Sequence, residues 1–474
     1  MSLEGLLETN DYQLSRLLIE RAVGLIYAVA FLNAVNQFRP LLGEHGLLPV
    51  PRYLRQVSFR QAPSLFHWGY SDRLAAVAAW IGLALAAAVV AGLVDVVPLW
   101  LGLLVWFLLW ALYESFVNVG QIFYAFGWES LLLEAGFLVM FLGGGRTAQP
   151  VLVIYLLRWL LFRVEFGAGL IKMRGDPCWR DLTCLDYHHE TQPMPNPLSW
   201  YAHRMPKIWH RFEVAGNHFT QLVVPFGLFL PQPVPDVAGA IIFLTQCWLV
   251  LTGNFSWLNF LTLALALAAF DDRLLSNLLP FIGTAGQVAL PEWWLALSLL
   301  LTALVVALSY WPVRNLISRR QMMNFSFNPL HLVNTYGAFG SVTRDRLEVV
   351  VEGATDQRNP EWREYEFKGK PGDVRRRPPQ YAPYHLRLDW LMWFAAMESA
   401  MHHVWFLNFV VKLLQGDRPT LKLLRHNPFP DAPPAVVRAQ LYHYRFTTWA
   451  ERRRSGAWWQ RELIGDYLRP TGLD

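Results

Sequence analysis

The sequence predicts a polytopic α-helical membrane protein with a C-terminal α+β domain built on a small antiparallel sheet. Three observations predict it. First, 54% of the 474 residues are hydrophobic and 16% are charged, against about 25% charged in an average soluble domain. Second, long and nearly uncharged runs fill the first two thirds of the chain, and β-branched and aromatic alternation begins only near residue 345. Third, the formal charge of +5 comes from Arg interspersed with acids. No basic stripe forms, so nucleic acid is excluded as a partner and membrane lipids are expected. Lysines are confined to Lys172, Lys207, Lys368, Lys370, Lys412 and Lys422. That Arg bias, with many Ala, Leu and Pro residues, fits a GC-rich bacterial genome, and for a bacterial membrane protein of this kind the inner membrane is the expected location.

The opening MSLEGLLETNDYQLSR is polar and acidic, without the pattern of a cleavable signal. The first apolar run is therefore expected to stay as a membrane helix. At about 20 residues per crossing, the candidate spans are 17–38, 74–94, 98–118, 128–143, 151–172, 216–231, 237–252, 254–270 and 293–312. That is roughly nine, within two either way. Span 128–143 is the weakest, because Glu129 and Glu134 interrupt it. With nine crossings, 39–73, 173–215 and everything after 313 emerge on one side, the expected working face. The side is contested. Arg39, Arg52, Arg55, Arg60 and Arg73 favour the cytoplasm, and a cysteine pair favours an oxidising compartment.

Two domains are expected: residues 1–312 in the membrane, with a long ordered extramembrane loop at 173–215, and residues 313–474 outside it. In the second, DRLEVVVEGA (345–354), WREYEFKGK (362–370) and LYHYRFTTW (441–449) read as strands. The run 388–414 reads as one long aromatic helix, interrupted by Glu398, His402, His403 and Asn408, lying on the sheet or the membrane surface.

The stretch RGDPCWRDLTCLDYHHETQPMPNP (174–197) follows the fifth span. Cys178, Cys184, His188 and His189 are zinc-ligand types, but the C-x5-C spacing is wider than usual and adjacent histidines rarely share an ion. A Cys178–Cys184 disulfide and two free thiols both remain open. Pro193, Pro195 and Pro197 remove donors and favour a stiff, extended path. Cys247, in an apolar run, reads as a small packing residue. Inside the spans, Glu134, Arg158, Arg163, Glu165 and Lys172 form a polar cluster, with Glu114 and Glu129 nearby. A charge at the bilayer centre costs about 2.5–3.5 kcal/mol or more, so Glu134 is expected to pair with Arg158 or Arg163. A structural ion pair and a polar cavity or proton relay are the alternatives. In 328–346, Asn334, Gly337 and Gly340 punctuate a turn without a phosphate-loop pattern. His385 and Asp389 make an H-x-x-x-D spacing, as readily a helix-start hydrogen bond as a general base.

Three long blocks carry a resemblance. They are FGAGLIKMRGDPCWRDLTCLDYHHETQPMPNPLSWYAH (166–203) running on to 226, FNPLHLVNTYGAFGSVTRDRLEVVVEGA (327–354) with 362–397, and LLRHNPFPDAPPAVVRAQLYHYRFT (423–447) with 456–468. Together with FRPLLGEHGLLPV (38–50) and GWESLLLEAGFL (127–138), they resemble the lipase maturation factor family, whose membrane half is distantly similar to vitamin K-dependent carboxylases. The resemblance implies a membrane protein that helps secreted dimeric lipases reach an active form, with the loop and C-terminal domain in the endoplasmic reticulum lumen of animals and so the periplasm of a bacterium. Unlike the family, the C-terminal domain here has no cysteine.

Two hypotheses follow. In the first, a chaperone-like factor with no cofactor or metal, Cys178, Trp179, Arg180, Asp181, Cys184, Tyr187 and His188 form a surface that docks a client or the C-terminal domain, and Asn334, Tyr336, Gly337 and Phe339 shape the junction. In the second, a membrane enzyme acts on a lipid, quinone or protein, with Lys172, His188, His189, Glu134 and Arg163 as candidates and no assigned catalytic residue.

Overall fold

The computed structural model describes residues 8–283 and 288–473. Among the described residues, nine longer helices build the membrane half: α1 Gln13–Leu42, α2 Asp72–Val90, α3 Leu99–Val119, α4 Gly127–Val139, α5 Val151–Arg174, α6 Lys207–Leu222, α7 Val234–Thr252, α8 Leu258–Ala266 and α9 Glu292–Ile317. Five of these, α1, α2, α3, α7 and α9, are long and apolar enough to cross a bilayer. Length and apolarity alone thus support five spans, not nine.

The other four expected spans fall on interrupted elements. Helix α4 has 13 residues, fewer than the hydrocarbon core demands. Helix α5 has 24 but carries Arg158, Arg163, Glu165 and Lys172. Span 216–231 is a helix end followed by a 3₁₀ segment, Val224–Phe229, begun at Pro225, which cannot donate to the preceding turn. Span 254–270 is α8 plus one 3₁₀ turn. Aromatic edges pack the bundle: Phe38 meets Phe116 at 4.8 Å, and Phe31 meets Tyr113 at 5.5 Å. Gly82 lets α2 close on α1, since a Cβ there would lie 2.3 Å from Phe31.

A two-residue pairing joins β1 Glu8–Thr9 to β2 Gln149–Pro150. The C-terminal sheet is four-stranded and antiparallel, in the order β4-β3-β5-β6. Its strands are β3 Arg346–Ala354, β4 Arg363–Glu364, β5 Val436–Phe446 and β6 Trp459–Thr471. Strand β3 pairs with β5 from Arg346↔Tyr444 to Ala354↔Val436.

Several sequence expectations need correction. The 362–370 strand shrinks to two residues and one bridge, Glu366↔His426, because Gly369 and Pro371 end the extended run. The strand expected at 441–449 starts at Val436 and stops at Phe446, because Thr448 and Glu451 form a capping box that opens the helix Trp449–Ser455. Strand β6 was not foreseen. The 388–414 run is not one helix. It breaks into α10 Arg387–Ala395 and α11 Val404–Leu414 around a 3₁₀ turn at Ala400–His402, whose start Ser399 caps. The break lets α10 pack on β3 and α11 on β5.

Candidate functional site: the seam between the 173–215 loop and the C-terminal domain

Helix α5 ends where backbones crowd. Gly175 needs its missing Cβ, which would sit 2.1 Å from the Gly340 carbonyl oxygen. Asp176 then caps the short helix Pro177–Arg180, accepting from the Cys178 amide at 3.0 Å. Its carboxylate also takes the Arg344 guanidinium at 2.8 Å, and that bond holds Asp176 below the usual carboxylate range. Cys178 and Cys184 are joined as a disulfide, with Cα atoms 4.8 Å apart. His188 lies against Phe255 and Phe339. Asp176, Cys178 and Cys184 bring ligand atoms within 4.8 Å of one another, with both sulfurs joined in the disulfide.

Cys178, Trp179 and Cys184 are buried. The Trp179 indole donates to the Phe339 carbonyl at 2.6 Å, and its ring lies 4.8 Å from the Lys172 ammonium. Arg180 and Asp181 are exposed, while Tyr187 is half-buried beneath Arg344. The candidate residues thus divide. Cys178, Trp179 and Cys184 are packed inside the chain, and Arg180 and Asp181 face outward.

The 328–346 turn is seated on two membrane helices. Glu134 of α4 pairs with Arg163 of α5. The same carboxylate accepts from the Asn334 amide at 2.9 Å, the Asn334 side chain at 3.0 Å and the Tyr336 hydroxyl at 2.7 Å. Arg163 donates to the Asn334 carbonyl at 2.7 Å. Gly167 brings α5 against the Tyr336 carbonyl, where a Cβ would stand 2.3 Å away. Val333 and Phe339 take left-handed backbone, at φ 53° and 58°, which costs a β-branched or bulky residue energy that the surrounding contacts must offset. Gly337 is buried against Ile171 and Met323.

Arg158 does not join this cluster. It donates to the carbonyls of Ala268 and Leu228 and to the Tyr12 hydroxyl. Lys172 donates to Asn217 at 2.7 Å and Gln221 at 2.9 Å, and Glu165 accepts from Gln246 at 2.6 Å. Glu129 is not left inside the bundle alone. It reaches Arg387 of α10 at 2.7 Å, with both side chains buried. His385 presents its carbonyl to Asn33 and Gln37, and its ring packs edge-on to Trp128. Asp389 accepts from the Gly369 and Lys370 amides. The H-x-x-x-D spacing therefore brings no acid–base pair together.

The seam proper is organised by Arg346, the first residue of β3. Its guanidinium donates to three loop carbonyls, those of Glu190 at 2.8 Å, Gln192 at 2.5 Å and Pro193 at 3.0 Å. It also meets Glu348 at 2.6 Å, and Lys370 meets the same carboxylate at 2.8 Å. Below it, the Glu190 carboxylate accepts the Phe446 amide at 2.6 Å. Trp200 donates to the Thr447 carbonyl at 2.9 Å, and Arg204 to the Phe446 carbonyl at 2.6 Å. From the membrane side, Gln192 donates to the Thr252 carbonyl at 3.1 Å and Asn254 to that of Pro379 at 2.9 Å. Arg346, Trp200 and Arg387 escaped the sequence analysis. A signal existed for one: in RLEVVV, strand alternation sets Arg346, Glu348 and Val350 on one face, so two charges accompany an apolar residue.

A histidine group lines the loop. Burial pulls His203 and His188 down to about 4, and His189 well below its ordinary value. Neither ring nitrogen of His189 has a hydrogen-bond partner among the described residues. His210 is held between Asp186 at 2.9 Å and the Ala202 carbonyl at 3.0 Å.

Chemically, this arrangement fixes one chain segment between a bundle and a sheet. The enzyme candidates do not converge: Glu134 and Arg163 hold a turn, Lys172 is bonded to two amides, and His188 stacks on Phe255. The cavity beside Glu134 measures about 10 Å³, room for at most about one water.

Comparison with known proteins agrees with this architecture. Residues 14–277 match the lipase maturation factor transmembrane domain, and residues 332–469 the lipase maturation factor C-terminal domain. The chain is 42% identical to lipase maturation factor 1 of Bos taurus, over 98% of this chain and 90% of that one. It is 41% identical to the Homo sapiens protein, over 99% and 89%. Lipase maturation factor 2 of Rattus norvegicus is 29% identical, over 96% and 82%. No solved structure matches. An integral membrane protein with these two matched regions, this chain belongs to the lipase maturation factor family.

Proposed function

We propose that this protein assists the maturation of secreted lipases, acting from one face of the membrane through the unit formed by the 173–215 loop and the C-terminal domain. The observation that carries this reading is the near full-length similarity to proteins named lipase maturation factor 1. The geometry is in keeping with a scaffold: a loop pinned by Arg346, a disulfide and buried ion pairs, with Arg180 and Asp181 left exposed for a client.

We further propose that the membrane half crosses nine times, using four short or interrupted passes. Two sets of contacts support this. At one end, the Gln13 amide meets Asp272 at 2.8 Å, Arg16 meets Asp95 at 3.0 Å, and the Ala148 amide meets the Val288 carbonyl at 2.9 Å. At the other, Gln121 meets the Leu48 carbonyl, Trp257 that of Trp128, and Arg174 that of Leu316. Successive passes run between these two ends. On this count 39–73, 173–215 and the C-terminal domain share a side, which the Cys178–Cys184 disulfide favours as the periplasm of a bacterial inner membrane.

The test is gene deletion with complementation. Secreted lipase activity is expected to fall while lipase protein is still made, and to return with the intact gene. Unchanged lipase activity per molecule would refute the reading.

A further inference from the structure

We infer that the ends of α1 and α2 form a binding site for one zwitterionic phospholipid. A cavity of about 700 Å³ lies there, lined by Ala34, Val35, Phe38, Ala75 and Ala76 below and by Arg39, Glu44, His45, Tyr70, Asp72 and Arg73 at its rim. That volume is within the range of small-molecule sites, about 300–1,000 Å³. The lining is divided by height. The apolar residues lie within two membrane-spanning helices, and the charged ones lie where those helices end. An acyl chain and a headgroup have the same division.

The charges select the headgroup class. Arg39 spends its Nε on Asp72 at 3.2 Å, and Asp72 also accepts the Tyr70 hydroxyl and the Glu44 amide. Arg73, His45 and the Glu44 carboxylate have no hydrogen bond or ion pair among the described residues, and all three are exposed on the rim. Arg39 and Arg73 face Glu44 and Asp72, two charges of each sign. A phosphate on Arg39 and Arg73, with an ammonium on Glu44, preserves that balance. A singly anionic headgroup would leave Glu44 facing like charge. The site is separate from the loop–domain seam and does not depend on the client.

The probe is phosphatidylethanolamine carrying a diazirine in its acyl chain, added to the full-length protein in nanodiscs. Crosslinks are expected to concentrate at Val35 and Ala76, the apolar lining residues that are not buried. Excess phosphatidylethanolamine should compete at least fivefold better than phosphatidylglycerol. Arg39→Ala with Arg73→Ala should cut the crosslinking at least fivefold, and Glu44→Gln should remove the preference for phosphatidylethanolamine, in samples that stay monodisperse. Crosslinks spread over bilayer-facing residues such as Trp80, Leu244 and Leu300, unchanged by the double variant, would overturn the site. Equal competition by phosphatidylglycerol would overturn the headgroup assignment.

Discussion

Replacing Arg346 with Lys separates the seam from the sheet. Arg346 is fully buried and donates to three loop carbonyls and to Glu348. Lysine keeps the positive charge, and Glu348 retains Lys370 besides. A single ammonium cannot reproduce the planar fork: even at the position of Nη1, which serves Glu190 and Gln192, it leaves the Pro193 carbonyl without its donor. Each buried group left unpaired costs about 1–3 kcal/mol, a loss confined to the contact between 190–193 and β3. Hydrogen exchange with peptide resolution is the assay. Amides of 188–200 should exchange at least tenfold faster in Arg346→Lys, while those of β5 change little, and lipase maturation should fall with them. Unaltered protection across 188–200 would show that the guanidinium does not hold the loop.

The remaining predictions test other contacts. Glu134→Gln leaves Arg163 buried without its charge partner, which costs about 3–5 kcal/mol; thermal unfolding in detergent should shift down, and proteolysis should open 328–346. Gly167→Ala pushes a methyl into the Tyr336 carbonyl, an overpacking cost of about 1–3 kcal/mol, whereas Ala at Gly216, which has open space around it, should leave the melting temperature unmoved or slightly raised. Cys178→Ser removes a crosslink between residues six apart; about 2–3 kcal/mol is expected from chain entropy, read as lower loop protection and as a thiol at Cys184 newly open to alkylation. Acid should destabilise the loop: His203 binds its proton near 6.5 when unfolded and near 4 when folded, so its contribution is intact above about pH 6.5 and is lost as pH falls toward 4. Glu190, raised by burial, acts in the opposite direction, so His203→Gln should flatten the fall in melting temperature between pH 7 and 5.

Much of this architecture was legible in the sequence because hydropathy acts over whole segments. The apolar runs near 17–38, 74–94 and 98–118 needed no tertiary information, nor did the strand 345–354. The shorter or charged helices were harder, because α4 and α5 carry Glu134, Arg163 and Lys172, whose partners are distant in sequence. Glu129 illustrates the limit. Nothing local says that its partner is Arg387, 258 residues away. The break in 388–414 goes with packing on two strands, one of which starts at Val436, five residues before the alternating run at 441–449. In the loop, the cysteine spacing and prolines marked an ordered segment. They did not reveal that Trp179 is buried while Arg180 is exposed, since that depends on where Phe339 and Lys172 lie.

The proposed placement of the loop and the C-terminal domain on one face is tested most directly by single-cysteine labelling in sealed cells and inverted vesicles. Asp181→Cys reports the loop and Arg358→Cys the C-terminal domain, each in a background where Cys178, Cys184 and Cys247 are replaced by Ser. A membrane-impermeant maleimide should modify both positions from the periplasmic side and neither from the cytoplasmic side. Modification of the two positions from opposite sides would contradict the common face and, with it, the seam as the unit that meets a client.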